Sequence, residues 1–302
     1  MRIAPYELLA GVGLDLALGD PRWFPHPVRG FGWSAVQLER FWRATNLPLQ
    51  WAGACFTVSA VGVACAVVWS TSPWLNIFWI WTLLALRDLD WEATLVWRAL
   101  ERGDLEEARR KLAMIVGRDT AHLGEAEILR AAIETIAENL SDAVIAPLFY
   151  LGLGGPVGMA AYKAINTLDS MVGYHDERYA EFGWASARLD DLVNFIPARL
   201  TAVLIWMCAL ILGYDAGRSR RITLRDASSQ PSPNAGYPEA AVAGALGIRL
   251  GGVNFYSGAR VDKPYLGDAV NPLDKRAFHA TRILLYASSA LMLLVMFGVA
   301  LA

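Results

Sequence analysis

Residues 44–86 read ATNLPLQWAGACFTVSAVGVACAVVWSTSPWLNIFWIWTLLAL, a stretch without a single Asp, Glu, Lys or Arg. One helix needs about 20 apolar residues to cross the hydrocarbon core of a bilayer, so this run is long enough for a pair. Ser70-Thr71-Ser72-Pro73 is the natural break, because a proline ends one helix and can open the next. The stretch therefore predicts a transmembrane helical hairpin, about 51–69 and 74–86. Trp51, Trp69, Trp74, Trp79 and Trp81 fall near its ends, where an indole keeps its ring in apolar surroundings and its N–H wet. The alternative is a hairpin buried inside a soluble protein.

The rest of the chain favours the membrane. Of 302 residues, 55% are hydrophobic and 19% charged, with 12 Trp and a mean hydropathy of +0.33. Soluble domains average about 45–50% apolar and about 25% charged. A net charge of 27 − 29 = −2 excludes a nucleic-acid binder on electrostatic grounds. So apolar a chain is not disordered. Cys55, Cys65 and Cys208 are few and lie in apolar runs, which excludes a disulfide-stapled secreted module. The expectation is one membrane-embedded, all-α, polytopic body over 1–302, with polar segments and loops at a cytosolic face.

Other runs extend this reading. Residues 283–302 are uncharged and follow Arg276 and Arg282, as where a spanning helix leaves a basic cytosolic side. Residues 143–162 are uncharged but carry Gly152, Gly154, Gly155, Pro156 and Gly158, which predicts a broken or re-entrant element. Residues 200–214 are marginal for a span. The run 8–18 carries Asp15 and has no basic leader, so it is not read as a signal peptide. Residues 87–142 read as polar helices, and 215–282 as a cytosolic segment rich in Lys and Arg.

The polar segments hold the chemistry. Asp104 is a plausible N-cap, and Asp119 or Thr120 a second, opening a helix toward Asp142. Glu106, Glu107, Arg109, Arg110 and Lys111 read as a solvated face. Glu134, Glu138 and Asp142 recur every four residues and would share one helix face. Like charges at that spacing repel, so the row calls for a divalent cation, a cationic substrate or arginines from elsewhere in the fold. Lys163, Asn166, Thr167 and Ser170 line one helix side, with Asp169 next to it, as a surface for phosphate or carboxylate; Lys163 alone could instead snorkel to the interface. Asp190-Asp191 with Asn194 one turn on suit Mg²⁺, which takes hard oxygen ligands. Arg199 begins an apolar run and reads as an interfacial anchor. Three prolines order His26 and its flanking Arg22 and Arg29. Asn234 and Gly236 lie in a loop entering an Ala/Gly-rich helix, where backbone N–H groups face an anion.

Taken together, GDPRWFPHPVRGFG, RDT followed by ETIAENLSD, YKAINTLDSMVGY, ARLDDLVNFIPARL, PSPNAGYPEAAVAGALGIRLGG and KPYLGD resemble the adenosylcobinamide-phosphate synthase (CbiB/CobD) family of cobalamin biosynthesis. The six motifs run in order from about 14 to 270, departing at His175-Asp176. The resemblance implies a multi-pass enzyme of the bacterial or archaeal cytoplasmic membrane. It would join adenosylcobyric acid to aminopropanol or its phosphate, with ATP as co-substrate and Mg²⁺ as cofactor, alongside other membrane enzymes of cobalamin assembly. It implies metal ligation by Asp190, Asp191 and Asn194, with Glu138 and Asp142 as the other half. Lys163 and Arg188 would hold phosphates, and Glu134 or Glu138 would accept the ammonium proton, with Lys163 and Asp191 also in the catalytic set. His26, Asn139, Asn166, Ser170, Asn234, Gly236 and Arg249 would bind substrate or nucleotide. A related branch, the AmpE-like membrane signalling proteins, is the rival class. It has no need of the acidic clusters, and a transporter would carry its ionisable residues mid-span.

Overall fold

A computed structural model of the protein describes residues 3–21, 23–174 and 176–301. Arg22 and His175, named above, lie outside them. Of the described residues, 73% are helical. It opens with α1 (Pro5–Leu18), α2 (Pro27–Arg43), α3 (Leu49–Thr71) and α4 (Asn76–Leu83). There follow α5 (Leu86–Glu101), α6 (Leu105–Ala113), α7 (Glu125–Leu140), α8 (Ala146–Val172) and α9 (Trp184–Leu212). After α10 (Ala216–Asp226) and α11 (Gly236–Leu246) come the antiparallel strands β1 (Leu250–Tyr256) and β2 (Ala259–Leu266), then α12 (Lys275–Leu301). Among the described residues, four stretches are long and apolar enough to cross a membrane: α3, residues 125–172, α9 and α12. The architecture is that of an all-α polytopic membrane protein, with one β-hairpin that hydropathy did not announce.

The second arm of the expected hairpin is corrected. α4 has eight residues, about 12 Å of helical rise against a hydrocarbon core of about 30 Å. Leu84 is extended (φ −99°, ψ 152°) and ends it, while Trp79, Ile80 and Leu83 are buried as α4 packs on α1. An arm that faces protein is as apolar as one that faces lipid. The expected cap at Asp119 or Thr120 is corrected too. α7 begins behind Gly124, whose N–H is taken by Glu127 Oε2 at 2.8 Å. Asp119 instead accepts from Ser257 and Gly258 N–H (3.2 and 2.7 Å) and donates its own N–H to the Phe255 carbonyl at 2.8 Å, pinning the turn between β1 and β2. Asp104 does cap α6, through the Glu107 N–H at 2.9 Å.

Residues 141–145 form a π-helical turn between α7 and α8, and α8 breaks at Gly155 (φ 62°, ψ −158°) before Pro156. Glycine alone takes that backbone without strain, and proline has no N–H to continue the ladder. α9 joins the Asp190-Asp191 motif and the uncharged run 200–212 into one helix of 29 residues. α12 begins before its uncharged run and takes in Arg276 and Arg282.

The chain divides into two compact units. In the first (Met1–Ala85, Ala146–Asn194, Leu294–Ala302), α3 packs on α2 and α8. Its core holds Ala52, Phe56, Ala60, Leu168, Val172 and Phe182, with the Phe56 and Phe182 rings 5.1 Å apart. The buried Thr57 and Ser186 hydroxyls satisfy each other at 2.8 Å, as buried polar groups must. In the second (Leu86–Ile145, Phe195–Leu293), α11 packs on α10 and α7, and β1 on α7. There Arg282 of α12 pairs with Asp90 of α5, and the Tyr286 hydroxyl donates to the same carboxylate at 2.9 Å.

Candidate functional site

In the first unit, α8 and α9 bring a carboxylate cluster together. Asp190 accepts from Asn166 Nδ2 (3.4 Å) and from Asn194 Nδ2 (3.0 Å), one amide on each oxygen. The Asn194 oxygen is occupied in turn by the Tyr162 hydroxyl at 2.8 Å. Tyr162 stacks on Tyr150 with centroids 5.3 Å apart, and the Tyr150 hydroxyl donates to the Val193 carbonyl at 2.9 Å. Asp190 also feels the negative charges of Asp169 on α8 and Asp191 on α9. Asp190, steered by two amides and acted on by the charges of Asp169 and Asp191, offers the kind of hard oxygen donor a cation takes. This arrangement changes the expected role of Asn194. Its amide nitrogen donates to Asp190 and its oxygen accepts from Tyr162, so both its polar atoms are engaged within the protein.

In the second unit, the Glu134 carboxylate is held from two sides. Arg118 donates to Oε2 at 2.6 Å and the Gly251 N–H to Oε1 at 2.8 Å. Arg118 also reaches Asn254 Oδ1 (2.7 Å), and Arg130 reaches that oxygen (3.2 Å) and the Val253 carbonyl (2.8 Å). Both members of the Arg118–Glu134 pair are buried, at 10% and 5% side-chain exposure. The partner for Glu134 is thus an arginine and the backbone of β1, the salt-bridging alternative left open in the sequence. Nearby, Glu239 of α11 is buried. That burial, then the charges of Glu134 and Glu138, push its carboxyl well above the usual range, against the pull of Lys263 and Arg118. Burial disfavours the Lys263 charge, yet Tyr256 and Glu239 hold its pKa above the ordinary lysine value.

The remaining expected residues have defined places. Asp142 falls in the π-helical turn, so the row from Glu134 through Glu138 is not continued at uniform spacing. Asn139 Nδ2 donates to the Thr135 carbonyl (3.0 Å) and the Ser170 hydroxyl to the Asn166 carbonyl (3.0 Å), bonds within their own helices. Arg188 is exposed and 3.8 Å from Asp191. Lys163 is half-buried on α8, and its carbonyl accepts from Thr167. His26 caps α2 through Val28 N–H (3.4 Å), with Asp20 2.9 Å from its Nε2, which is a structural post. Arg249 is exposed and stacks on Tyr265, 4.3 Å from the ring centroid. A Cβ on Gly236 would overlap the Ala227 carbonyl, so close packing requires a glycine there. Asn234 accepts from Arg199 at 3.2 Å.

Sequence reasoning missed several residues. The Arg199 guanidinium lies 3.5 and 4.0 Å from the Phe195 and Tyr237 ring centroids and, through Asn234, fastens the 231–237 loop to α9. Tyr162, Asp169, Arg118, Glu239 and Lys263 all stand inside the quoted motifs, so motif membership was their available signal. Among the described residues, no three His, Cys, Asp or Glu side chains converge as a ready metal cage.

A family model described as CobD/CbiB protein matches residues 8–285. The chain is 48% identical over 298 residues to cobalamin biosynthesis protein CobD of Geobacter metallireducens, covering 95% of this chain and 94% of that one. It is 45% identical over 300 residues to CobD of Klebsiella pneumoniae (95% and 94%) and 44% identical over 294 residues to cobalamin biosynthesis protein CbiB of Salmonella typhi (93% and 92%). No solved structure matches the chain.

Proposed function

The chain belongs to the CobD/CbiB family of cobalamin biosynthesis proteins, and from that premise we propose that it makes the amide bond of adenosylcobinamide phosphate in a membrane. The carboxylate of adenosylcobyric acid does not accept an amine until one of its oxygens becomes a leaving group. ATP supplies that: the carboxylate oxygen attacks the γ-phosphorus, ADP departs, and an acyl phosphate forms. The amine of aminopropanol phosphate then attacks the acyl carbon, phosphate leaves with the C–O bond electrons, and the amine proton passes to a base. Catalysis of such a sequence rests on positioning and on stabilising phosphoryl charge. The relatives' names point away from a signalling role.

The observation that carries the reading is Asp190, held on its two oxygens by the Asn166 and Asn194 amides and acted on by the charges of Asp169 and Asp191. Asp190 and Asp191, with Asp169, would hold Mg²⁺. When bound, the ion would supply charge neutralisation for phosphoryl transfer. Lys163 on α8 supplies a phosphate-holding cation. Glu134, already paired with Arg118, positions rather than accepts a proton, which leaves Glu138 and Glu239 as the acidic groups of the second unit suited to proton transfer. The test is the purified protein in detergent with Mg-ATP, adenosylcobyric acid and aminopropanol phosphate. Corrinoid amide and ADP should appear together, and Asp191→Ala or Lys163→Ala should cut amide formation far beyond threefold. Wild-type rates in both variants would overturn these assignments, and no amide from the parent would overturn the reaction.

A further inference from the structure

Within the second unit, α10 follows α9 after only residues 213–215. α9 is long and apolar enough to cross a bilayer, and Leu210 and Ile211 in its last turn are 74% and 73% exposed. Gly213 (φ 77°) turns the chain, and the Tyr214 N–H closes on the Ala209 carbonyl at 2.8 Å. The Trp206 indole then donates to the Thr223 hydroxyl at 3.2 Å, so α10 lies against the end of α9 instead of projecting from it. The two faces of α10 differ. Inward, Ser219, Ile222 and Thr223 are buried. The Ser219 hydroxyl donates to the Ala241 carbonyl at 2.6 Å, and a Cβ on Gly244 of α11 would collide with Ser219. Asp226 accepts from the Gly267 N–H, just past β2, at 2.8 Å. This face is fixed to α11 and to the end of the β-hairpin.

Outward, Arg220 and Arg221 are exposed and Leu224 is 68% exposed. At about 100° per residue, Leu224 falls between the two arginines around the helix. The neighbouring arginines are spent, Arg218 on Asp215 and Arg225 on Asp226 and Asp268. Among the described residues, no carboxylate pairs with Arg220 or Arg221. Two unneutralised guanidiniums astride an exposed leucine complement a surface that is anionic on top and apolar beneath. Basic clusters set directly beside a spanning helix meet that surface in the headgroup layer. We propose that the outer face of α10 docks on anionic phospholipid headgroups. Arg220 and Arg221 take the lipid phosphates through their planar forks of donors, Leu224 enters the acyl boundary, and the last turn of α9 continues the lipid-facing surface. Through α10, α11 and the β-hairpin are held at the bilayer surface. The proposal is independent of the ligase reading.

The test places the full chain, with Leu224 replaced by photoreactive p-benzoylphenylalanine, in nanodiscs of equimolar phosphatidylglycerol and phosphatidylcholine. Neither ATP nor corrinoid is present. After irradiation, mass spectrometry identifies what is joined to position 224. Lipid adducts should form, with phosphatidylglycerol favoured at least about tenfold, since each arginine near an anionic surface contributes about fivefold. Arg220→Gln with Arg221→Gln should bring the ratio to within about twofold of one, whereas Arg220→Lys with Arg221→Lys should keep most of the preference. Raising the salt to about 1 M should shrink it as well. Both side chains are exposed and without a carboxylate partner, so the thermal midpoint of the glutamine variant in phosphatidylcholine nanodiscs should match the parent's. Adducts to a second copy of the chain or to water alone overturn the proposal. So does a parent ratio near one, or a preference undiminished in the glutamine variant.

Discussion

Removing the Arg118 guanidinium leaves the 5%-exposed Glu134 carboxylate with the Gly251 N–H and, 3.9 Å away, Arg130. Breaking a buried pair costs about 3–5 kcal/mol when nothing else compensates the charge; with Arg130 still beside Glu134, Arg118→Ala should lower stability by less than that in denaturant or thermal unfolding. Glu134→Gln keeps an oxygen for the Gly251 N–H and should cost distinctly less. Glu239 makes a pH-dependent prediction. Its folded carboxyl titrates well above the ordinary 4.5, so the folded state binds the proton more tightly than the unfolded chain does. That contribution is fully present below about pH 4.5 and is lost as pH rises toward the raised value. Glu239→Gln should flatten this fall, measured as thermal midpoints from pH 5 to 8. At this scale the sequence was a partial guide. It marked Glu134 as needing a partner, but spacing along one helix cannot name Arg118, Asn254 or the Gly251 N–H, which arrive from other segments.

Elements show where periodicity and hydropathy run out. The first hairpin arm was legible because α3 is long, uniformly apolar and bounded by Pro48 and Pro73. The second was not, since burial against α1 leaves the same signature as burial in lipid. The DDLVN motif looked separate from the apolar run after it, yet both lie on α9, because Pro197 is accommodated within that helix. β1 and β2 escaped notice because β2 is exposed along nearly its whole length and β1 follows its first residue with two glycines, so neither shows a period-two pattern. The loop before α11 was read as an anion cradle, and packing also requires its glycine. Gly236→Ala would drive a methyl into the Ala227 carbonyl and should cost about 1–3 kcal/mol. The check is chemical denaturation, with Ala235→Gly as a control for backbone flexibility.

For the molecule as a whole, the apolar excess divides between lipid and core. Trp69 and Trp74 are 71% and 88% exposed and Trp23 is 83%, while Trp79 is buried. Brominated acyl chains should therefore quench part of the tryptophan emission in reconstituted bilayers, and Trp69→Phe with Trp74→Phe should reduce the quenched fraction; an unchanged fraction would place these indoles away from lipid. The Arg282–Asp90 pair bears on how the chain is made. Asp90 leaves the ribosome 192 residues before its guanidinium, and its side chain is 12% exposed in the folded unit. Until residue 282 is synthesised, that carboxylate has a place prepared in the fold and no arginine to fill it. Nascent chains thus carry a mark of incompleteness that the arrival of α12 erases. In pulse-chase, a chain terminated after residue 281 should turn over faster than the same truncation bearing Asp90→Asn.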